Sequence, residues 1–145
     1  MINVVPFLFE HLDQLDPLPC YDGEPKLLEC ARNFYGAPGS LMHTLTSIHG
    51  EVVCVYGGLT LMRTMSTWAI VGKQVLKYPL AYHRTMGKQI DWWFEELRLN
   101  RMQSVVEVEN ERALKQHLKW GFEVEGRLRK SRWDGKDQFV LAKVV

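Results

Sequence analysis

Residues 104–122 read SVVEVENERALKQHLKWGF, and this stretch decides the fold. Its valine-rich beginning predicts a short β-strand over residues 104–108. Asn110 is a favoured N-cap residue, and the helix that it opens is predicted to span residues 111–120. Gly121 suits the left-handed position that commonly follows a helix. The stretch therefore predicts a strand, a helix and the beginning of a further strand.

The segment before this stretch predicts a strand and a long helix. A strand is expected over residues 67–71, with residues 74–77 as its continuation past Gly72. Pro79 fits the first turn of a helix that is predicted to span residues 79–99. Apolar residues recur in it at the spacing of a core-facing stripe: Ile90, Trp93, Phe94 and Leu97. Strand, helix and strand in this order predict two parallel strands joined by a right-handed crossover.

The remaining elements extend this unit on both sides. Two helices are predicted early in the chain, one beginning at Pro6 and one spanning residues 24–35. Gly57 and Gly58 indicate a bulge or a close backbone approach. Further strands are predicted at residues 2–5, 40–48, 52–56, 122–132 and 138–144. The order β, α, α, β, β, β, α, β, α, β, β predicts one α+β domain over residues 1–145, with a central parallel strand pair in a mixed sheet and helices on both faces.

The composition is that of one ordinary globular domain. The chain has 145 residues, of which 46% are hydrophobic and 24% are charged, which excludes a fibrous or disordered protein. No apolar run reaches the roughly 18–20 residues of a membrane span, and no basic segment precedes an apolar one, so the protein is not expected to be secreted. The net charge of +1 conceals an acidic first half and a basic second half. This asymmetry is too small to indicate nucleic-acid binding by itself.

The cysteines and histidines give no metal-binding pattern. Cys20, Cys30 and Cys54 lack C-x-x-C spacing and fit free thiols in a reducing compartment. The histidines of the first half have no second ligand at metal spacing. We therefore expect no metal site.

The motif Asn110-x-x-Ala113-x-x-x-His117-x-x-x-Gly121-Phe122 resembles the N-x-x-A-x-x-x-Y-x-x-x-G-F pattern of the GNAT superfamily, the acyl-CoA-dependent N-acetyltransferases. The predicted order of elements is also the order of that fold. The resemblance implies acetyl-CoA as the cofactor, with its pantetheine arm between the fourth and fifth strands. It makes His117 the candidate catalytic residue, in place of the tyrosine that protonates the CoA thiolate in the family. The alternative is a helix-face histidine that packs partly against the sheet.

The resemblance also locates the cofactor's pyrophosphate. In the family, a Q/R-x-x-G-x-G/A turn after the fourth strand binds it with backbone N–H groups at a helix N-terminus. Here the nearest match, residues 84–89, falls inside the predicted helix, and residues 77–81 have no glycine. By resemblance, the candidate cofactor-binding residues are Lys77, Tyr78, Leu80 and Asn110. Because Pro79 also removes a donor, we expect weak acetyl-CoA binding, with a Kd of about 1 mM or weaker.

The sequence does not single out one residue as the general base. No Asp or Glu occurs between Glu51 and Asp91, the interval in which family members often carry a catalytic carboxylate. The residues that remain as candidates are Tyr56, Tyr78, Tyr82, His83 and Glu107.

A basic run lies on the last predicted hairpin. Its members are the candidate partner-binding residues Arg127, Arg129, Lys130 and Arg132. Such a run can meet phosphates, including those of a nucleic acid, or an acidic protein partner. The alternatives are a solvated face and protection of an edge strand against aggregation.

A narrower resemblance involves Trp68, residues 78–82 (YPLAY) and residues 110–122. These segments resemble the small GNAT-like internal virion, or core, proteins of short-tailed T7-like phages. This implies binding to phage or host proteins, in virion assembly or as an internal virion component, and a location in the host cytoplasm or the particle. Two alternatives are an active acetyl-CoA-dependent N-acetyltransferase that modifies an amine of a host or phage protein or small molecule, and a protein that counters host defences by binding.

Overall fold

The computed structural model describes residues 1–21 and 27–145; the predicted helix start at Glu24 lies outside the described residues. The elements follow the predicted order. The strands are β1 (Ile2–Pro6), β2 (Ser40–Ser47), β3 (Val52–Leu61), β4 (Thr64–Val71), β5 (Arg101–Glu107), β6 (Glu123–Leu128) and β7 (Gln138–Val144). The helices are α1 (Phe9–Gln14), α2 (Leu27–Phe34), α3 (Pro79–Glu96) and α4 (Glu111–Lys119), with short 3-10 turns at Pro19–Tyr21 and Lys73–Lys77.

The strands form one sheet in the order β1-β2-β3-β4-β5-β7-β6. Every neighbouring pair is antiparallel except β4 and β5, which are parallel and are connected through α3. This confirms the predicted α+β class and the central parallel pair. A parallel pair needs a long crossover, which α3 supplies.

Helices cover both faces of the sheet. On one face, α3 and α4 pack over the main core, to which α3 contributes the buried residues Tyr82, Met86, Ile90 and Trp93. On the other face, Leu12 of α1 and Ala31 of α2 belong to a second apolar cluster, together with Ile70 of β4. The two clusters therefore meet at the central strands.

Two of the predictions near the N-terminus and after β4 are wrong. Pro6 ends strand β1, paired with His43, and does not open a helix; β1 is an edge strand, where a missing N–H is tolerated. Residues 74–77 do not extend β4 but belong to the 3-10 turn, because the N–H of Tyr78 donates to the carbonyl of Val75 at 3.0 Å. Val75 is buried, which anchors this turn on the core.

The last hairpin is also shorter than predicted. Strand β6 ends at Leu128, and a nine-residue connection (residues 129–137) leads to β7. Gly135 lies inside this connection, with φ +81°. Lys130 adopts φ +52°, and its backbone N–H donates to Asp137 at 2.9 Å, so the chain leaves the strand there.

The glycine pair in β3 marks a close backbone approach, as predicted. A Cβ on Gly57 would lie 2.2 Å from the carbonyl oxygen of Leu41, and one on Gly58 would meet the side chain of Met65. Both glycines remain in the ladder and pair with β4.

None of the described helices combines the length and the apolar character that a bilayer crossing demands.

Candidate functional site

The parallel strands β4 and β5 pair over only three residues and then diverge. The pairing runs from Thr64 opposite Arg101 to Ser66 opposite Gln103. At the point of separation, the hydroxyl of Thr67 donates to the carbonyl of Gln103 at 3.2 Å. Farther along, β4 stays paired with β3 and β5 stays paired with β7, so each strand keeps one complete ladder while the gap opens between them.

A cavity of about 470 Å³ occupies this gap. Its walls come from both faces of the sheet. Ala31 and Phe34 of α2 line it on one side, and Met86 of α3 and His117 of α4 line it on the other. The cavity therefore passes through the sheet and joins the two faces.

His117 lies at this gap with its ring nitrogens in different surroundings. Nδ1 lies 2.8 Å from the carbonyl oxygen of Ala113, and Nε2 lies 3.1 Å from Oγ of Ser104 on β5. A carbonyl oxygen only accepts, so Nδ1 carries the hydrogen and Nε2 accepts from the Ser104 hydroxyl. Burial lowers the pKa of His117, with an opposing contribution from the bond to Ala113. The neutral imidazole therefore dominates at neutral pH, and the proposed acid role of His117 stays a prediction.

Two tryptophans of the cavity wall have a buried indole N–H without an acceptor among the described residues. They are Trp68 on β4 and Trp93 on α3. Trp93 is 2% exposed, so bulk water does not satisfy it. Trp68 packs on Phe34 and Trp93 packs on Tyr56, which places the two donors on opposite faces of the sheet. Buried donors normally have partners, so these two belong to the few buried polar atoms of the described residues that lack one.

Glu107 and Arg132 form an ion pair at the end of β5, where the cavity meets the α1–α2 connection. Their side chains are 14% and 12% exposed. Arg132 also donates to the carbonyl of Cys20 at 2.6 Å. Lys136 approaches the same carboxylate at 3.7 Å. The candidate base Glu107 thus faces the cavity with its charge already compensated.

The other candidate bases are engaged in hydrogen bonds or packing. Tyr56 donates to Gln89 at 2.9 Å, and burial raises the pKa of its phenol. The hydroxyl of Tyr78 contacts Glu51 at 3.3 Å. His83 stacks on Trp120, with ring centroids 5.3 Å apart. Tyr82 is buried in the cavity wall.

A second, more open cavity of about 840 Å³ lies between the N-terminal turns of α3 and α4. We call it the α3–α4 groove. Pro79, Leu80 and His83 line its α3 wall. The α4 wall includes the connection before the helix and consists of Glu109, Asn110, Glu111, Arg112, Lys115, Gln116 and Lys119. Asn110 and Gln116 also line the cavity in the gap, so the two spaces adjoin at these side chains.

The structure separates the four predicted cofactor-binding residues into two pairs. Leu80 and Asn110 both line the α3–α4 groove. Asn110 also caps α4, since its side-chain oxygen accepts from the N–H of Ala113 at 3.1 Å. Lys77 and Tyr78 instead direct their side chains to Glu51. Cofactor binding by these four residues stays a prediction.

The segment that best matches the pyrophosphate motif lies inside α3, as the helix prediction implied. Its single glycine, Gly87, faces Trp120 of α4: an added Cβ would lie 3.3 Å from the indole Cδ1. The same indole donates from Nε1 to the carbonyl of His83 at 3.0 Å. Gly87 thus admits the tryptophan that fixes α4 against α3.

The basic run on the last hairpin does not form a single cationic face. Arg127 pairs with Asp137 at 2.7 Å, and Arg132 is turned inward to Glu107. Of the four residues of this run, all of which the structure describes, only Arg129 and Lys130 are exposed without an ion pair. Partner binding by the run stays a prediction, and the sequence pattern gave no sign that Arg132 points into the cavity.

Within residues 1–21 and 27–145, no three His, Cys, Asp or Glu side chains lie together as a metal-binding group.

Solved structures share this fold over nearly the whole chain. A chimera of the spermidine N-acetyltransferase SpeG from Vibrio cholerae and hSSAT superposes with a TM-score of 0.81 at 15% identity, covering 99% of this chain and 95% of that one. A GNAT-family acetyltransferase from Bacillus anthracis superposes with a TM-score of 0.76 at 16% identity, covering 99% and 94%. No family model matches the sequence. No curated protein matches it either. The fold is therefore that of the GNAT acetyltransferases.

Proposed function

We propose that the protein binds an acyl-CoA in the gap between β4 and β5 and transfers the acyl group to an amine. One observation carries this proposal: the two strands diverge after three paired residues and leave a cavity through the sheet. A protein that used the fold only as a scaffold would have no need to keep this space open, since unfilled core volume costs stability.

The residues of the gap fit the arm of that cofactor. Pantetheine is a slender chain of methylene, methyl and amide groups, and the indole rings of Trp68 and Trp93 add apolar surface to the cavity wall. Apolar wall residues such as Met86 and Phe34 suit its methylene and methyl groups. When bound, the thioester supplies an activated acyl group and a sulfur leaving group.

The chain's own residues have two proton tasks in this reaction. The acceptor nitrogen loses a proton as it gains the acyl group, and the departing sulfur gains one. We assign the second task to Nε2 of His117, which faces Ser104 at the gap. For the first, Glu107 is a carboxylate in the cavity wall, held between Arg132 and Lys136. No carboxylate among the described residues 52–90 is available, because that interval contains none.

Calorimetric titration with acetyl-CoA and CoA tests the binding step. Ala113 lies in the cavity wall on α4, and Ala113→Leu fills the gap while keeping a strong helix former. We expect wild type to bind and Ala113→Leu to lose at least tenfold in affinity. Lys88→Leu, on the exposed surface of α3, is the matched control and should bind like wild type. Release of free thiol with a panel of amines that includes spermidine then tests transfer; absence of binding would overturn the proposal.

A second candidate function is a protein-binding role in phage virion assembly or in the particle interior. It is supported by the absence of glycine in residues 77–81, where α3 begins with Pro79, and by the exposed cations Arg129 and Lys130. In this role the partner is a phage or host protein with an acidic surface. Arg129→Glu should then prevent co-purification with phage particles, while Arg84→Glu on the exposed side of α3 should not. Normal incorporation of Arg129→Glu would remove this candidate binding face.

A further inference from the structure

Three cations of α4 face the α3–α4 groove without an ion pair among the described residues. Arg112, Lys115 and Lys119 are exposed and follow one another at i, i+3 and i+7, which places them on one side of the helix. None of them forms an ion pair within the described part of the chain. Of the two acidic residues at the groove, Glu109 pairs with Lys136 at 3.2 Å, and Glu111 offsets one of the three cations, which leaves an excess of two positive charges. The groove is therefore a site of positive potential.

The opposite wall adds partial positive charge but few donors. Helix α3 is 18 residues long, and its first turn contains no acidic residue. Its N-terminus points into the groove at Pro79 and Leu80. Proline at the first position has no N–H, so only a small number of backbone donors remain there. A phosphate in this groove would depend on side-chain cations more than on backbone groups.

The gap and the groove together are complementary to a ligand that has one apolar end and one anionic end. Asn110 and Gln116 line both spaces, so the gap and the groove adjoin at these two side chains. We infer that Arg112, Lys115 and Lys119 bind the phosphates of the CoA nucleotide, in place of a glycine-rich turn. This inference rests on the proposed function, because it takes the occupant of the gap to be a CoA thioester.

Phosphate binding by the α4 cations changes the expected affinity for acetyl-CoA. Backbone donors before α3 alone predict a Kd for acetyl-CoA of about 1 mM or weaker. With three α4 cations in addition, we expect the Kd to be at least tenfold lower. The gain should shrink as salt rises, because exposed charges are screened over about 8–10 Å at physiological ionic strength.

The decisive experiment compares two double variants with matched chemistry. Lys115→Gln/Lys119→Gln removes two cations at i and i+4 from the groove wall of α4. Arg84→Gln/Lys88→Gln removes two at the same spacing from the exposed surface of α3, where neither residue lines a described cavity. Each protein is titrated with adenosine 3′-phosphate 5′-diphosphate, the nucleotide half of CoA, and separately with S-acetyl-pantetheine, which has no phosphate.

We expect the α4 double variant to lose at least tenfold in nucleotide affinity and most of the salt dependence. The α3 double variant should stay within twofold of wild type, and S-acetyl-pantetheine should not distinguish the three proteins. Equal nucleotide binding by all three, or no nucleotide binding by wild type, would overturn the inference. If the inference fails in this way but S-acetyl-pantetheine and acetyl-CoA still bind, the proposed function stands. If the nucleotide binds through α4 but the thioester compounds do not enter the gap, the proposed function fails instead.

Discussion

Ser104 and His117 face each other between β5 and α4, and the hydroxyl of Ser104 donates to Nε2 of the imidazole at 3.1 Å. The other nitrogen is committed to the carbonyl of Ala113. Only Nε2 is therefore able to take up and release a proton at the gap. A proton on Nε2 would reverse the bond to Ser104, because the hydroxyl oxygen would then accept.

The acid role of His117 has a defined pH dependence. An acid must carry its proton beforehand, and burial lowers the pKa of His117 below its usual 6.5. The protonated fraction, and with it kcat for acetyl transfer, should fall about tenfold per pH unit above that lowered pKa. His117→Phe keeps an aromatic ring against Trp120 and Phe122 and should reduce kcat roughly 100-fold.

A pH series of kcat for wild type and His117→Phe checks this prediction, with the circular dichroism spectrum as the control for folding. A variant that transfers acetyl groups as fast as wild type would remove the proposed acid. A wild-type kcat that rises from pH 6 to pH 8 would point instead to a base as the limiting group.

Stability should also depend on pH through the histidines. Burial lowers the pKa of His11, His43 and His117 in the folded protein. Below about pH 6.5 the unfolded chain binds more protons at these sites than the folded one. The free energy of unfolding therefore decreases as the pH is lowered in this range. The stabilisation is complete above pH 6.5 and is lost as the pH drops through the folded-state pKa values. Thermal melting from pH 8 to pH 5 should show a constant Tm down to about 6.5 and a decrease below it; a flat profile to pH 5 would contradict the lowered pKa values.

The elements between residues 104 and 122 were predictable because several local signals agree. The Asn110 cap and the left-handed Gly121 indicate the two ends of α4, and the structure has the helix between them. The 3-10 turn after β4 was not predictable, since burial of Val75 decides it and no local pattern encodes that contact. Long-range contacts override weak local preferences in this way.

The candidate site was predictable only in part. The histidine at the gap follows from the motif spacing. The inward orientation of Arg132 does not, because it depends on a nine-residue connection and on the carbonyl of Cys20, 112 residues away in sequence. The cation row on α4 has a signal in the sequence, the i, i+3, i+7 spacing of Arg112, Lys115 and Lys119. Such a row is typical of any solvated helix face, so the sequence alone does not indicate ligand binding. The groove beside the row is the feature that indicates it.

The ion pair of Glu107 and Arg132 should contribute measurably to stability. Both side chains are mostly shielded from solvent, and Glu107→Gln would leave the guanidinium without its main counter-charge. We expect a loss of about 2 kcal/mol in the free energy of unfolding, below the usual range for fully buried pairs because Asp134 lies 3.8 Å from Arg132. Chemical denaturation of Glu107→Gln, Arg132→Met and the double variant measures the coupling. Strictly additive losses would mean that the two side chains do not stabilise each other.

Gly57 offers the sharpest test of the central strands, because its ladder partner Trp68 on β4 lines the cavity in the gap. A Cβ there would lie 2.2 Å from the carbonyl oxygen of Leu41, a backbone atom that cannot move without disturbing the β2–β3 ladder. Gly57→Ala should therefore cost about 3 kcal/mol, the upper end for overpacking. For a domain of this size that is a decrease in Tm of about 9 °C.

Gly126 is the matched control for this substitution. It also lies in a strand, β6, but an added Cβ would meet only Val140 at an ordinary 3.6 Å. Gly126→Ala should stay within about 0.5 kcal/mol of wild type, because the smaller conformational freedom of the unfolded chain offsets minor crowding. Differential scanning calorimetry of both variants provides the comparison. If Gly57→Ala melted at the temperature of Gly126→Ala, the close approach of β2 and β3 at Leu41 would be wrong, and with it the register that holds β4 in place beside the gap.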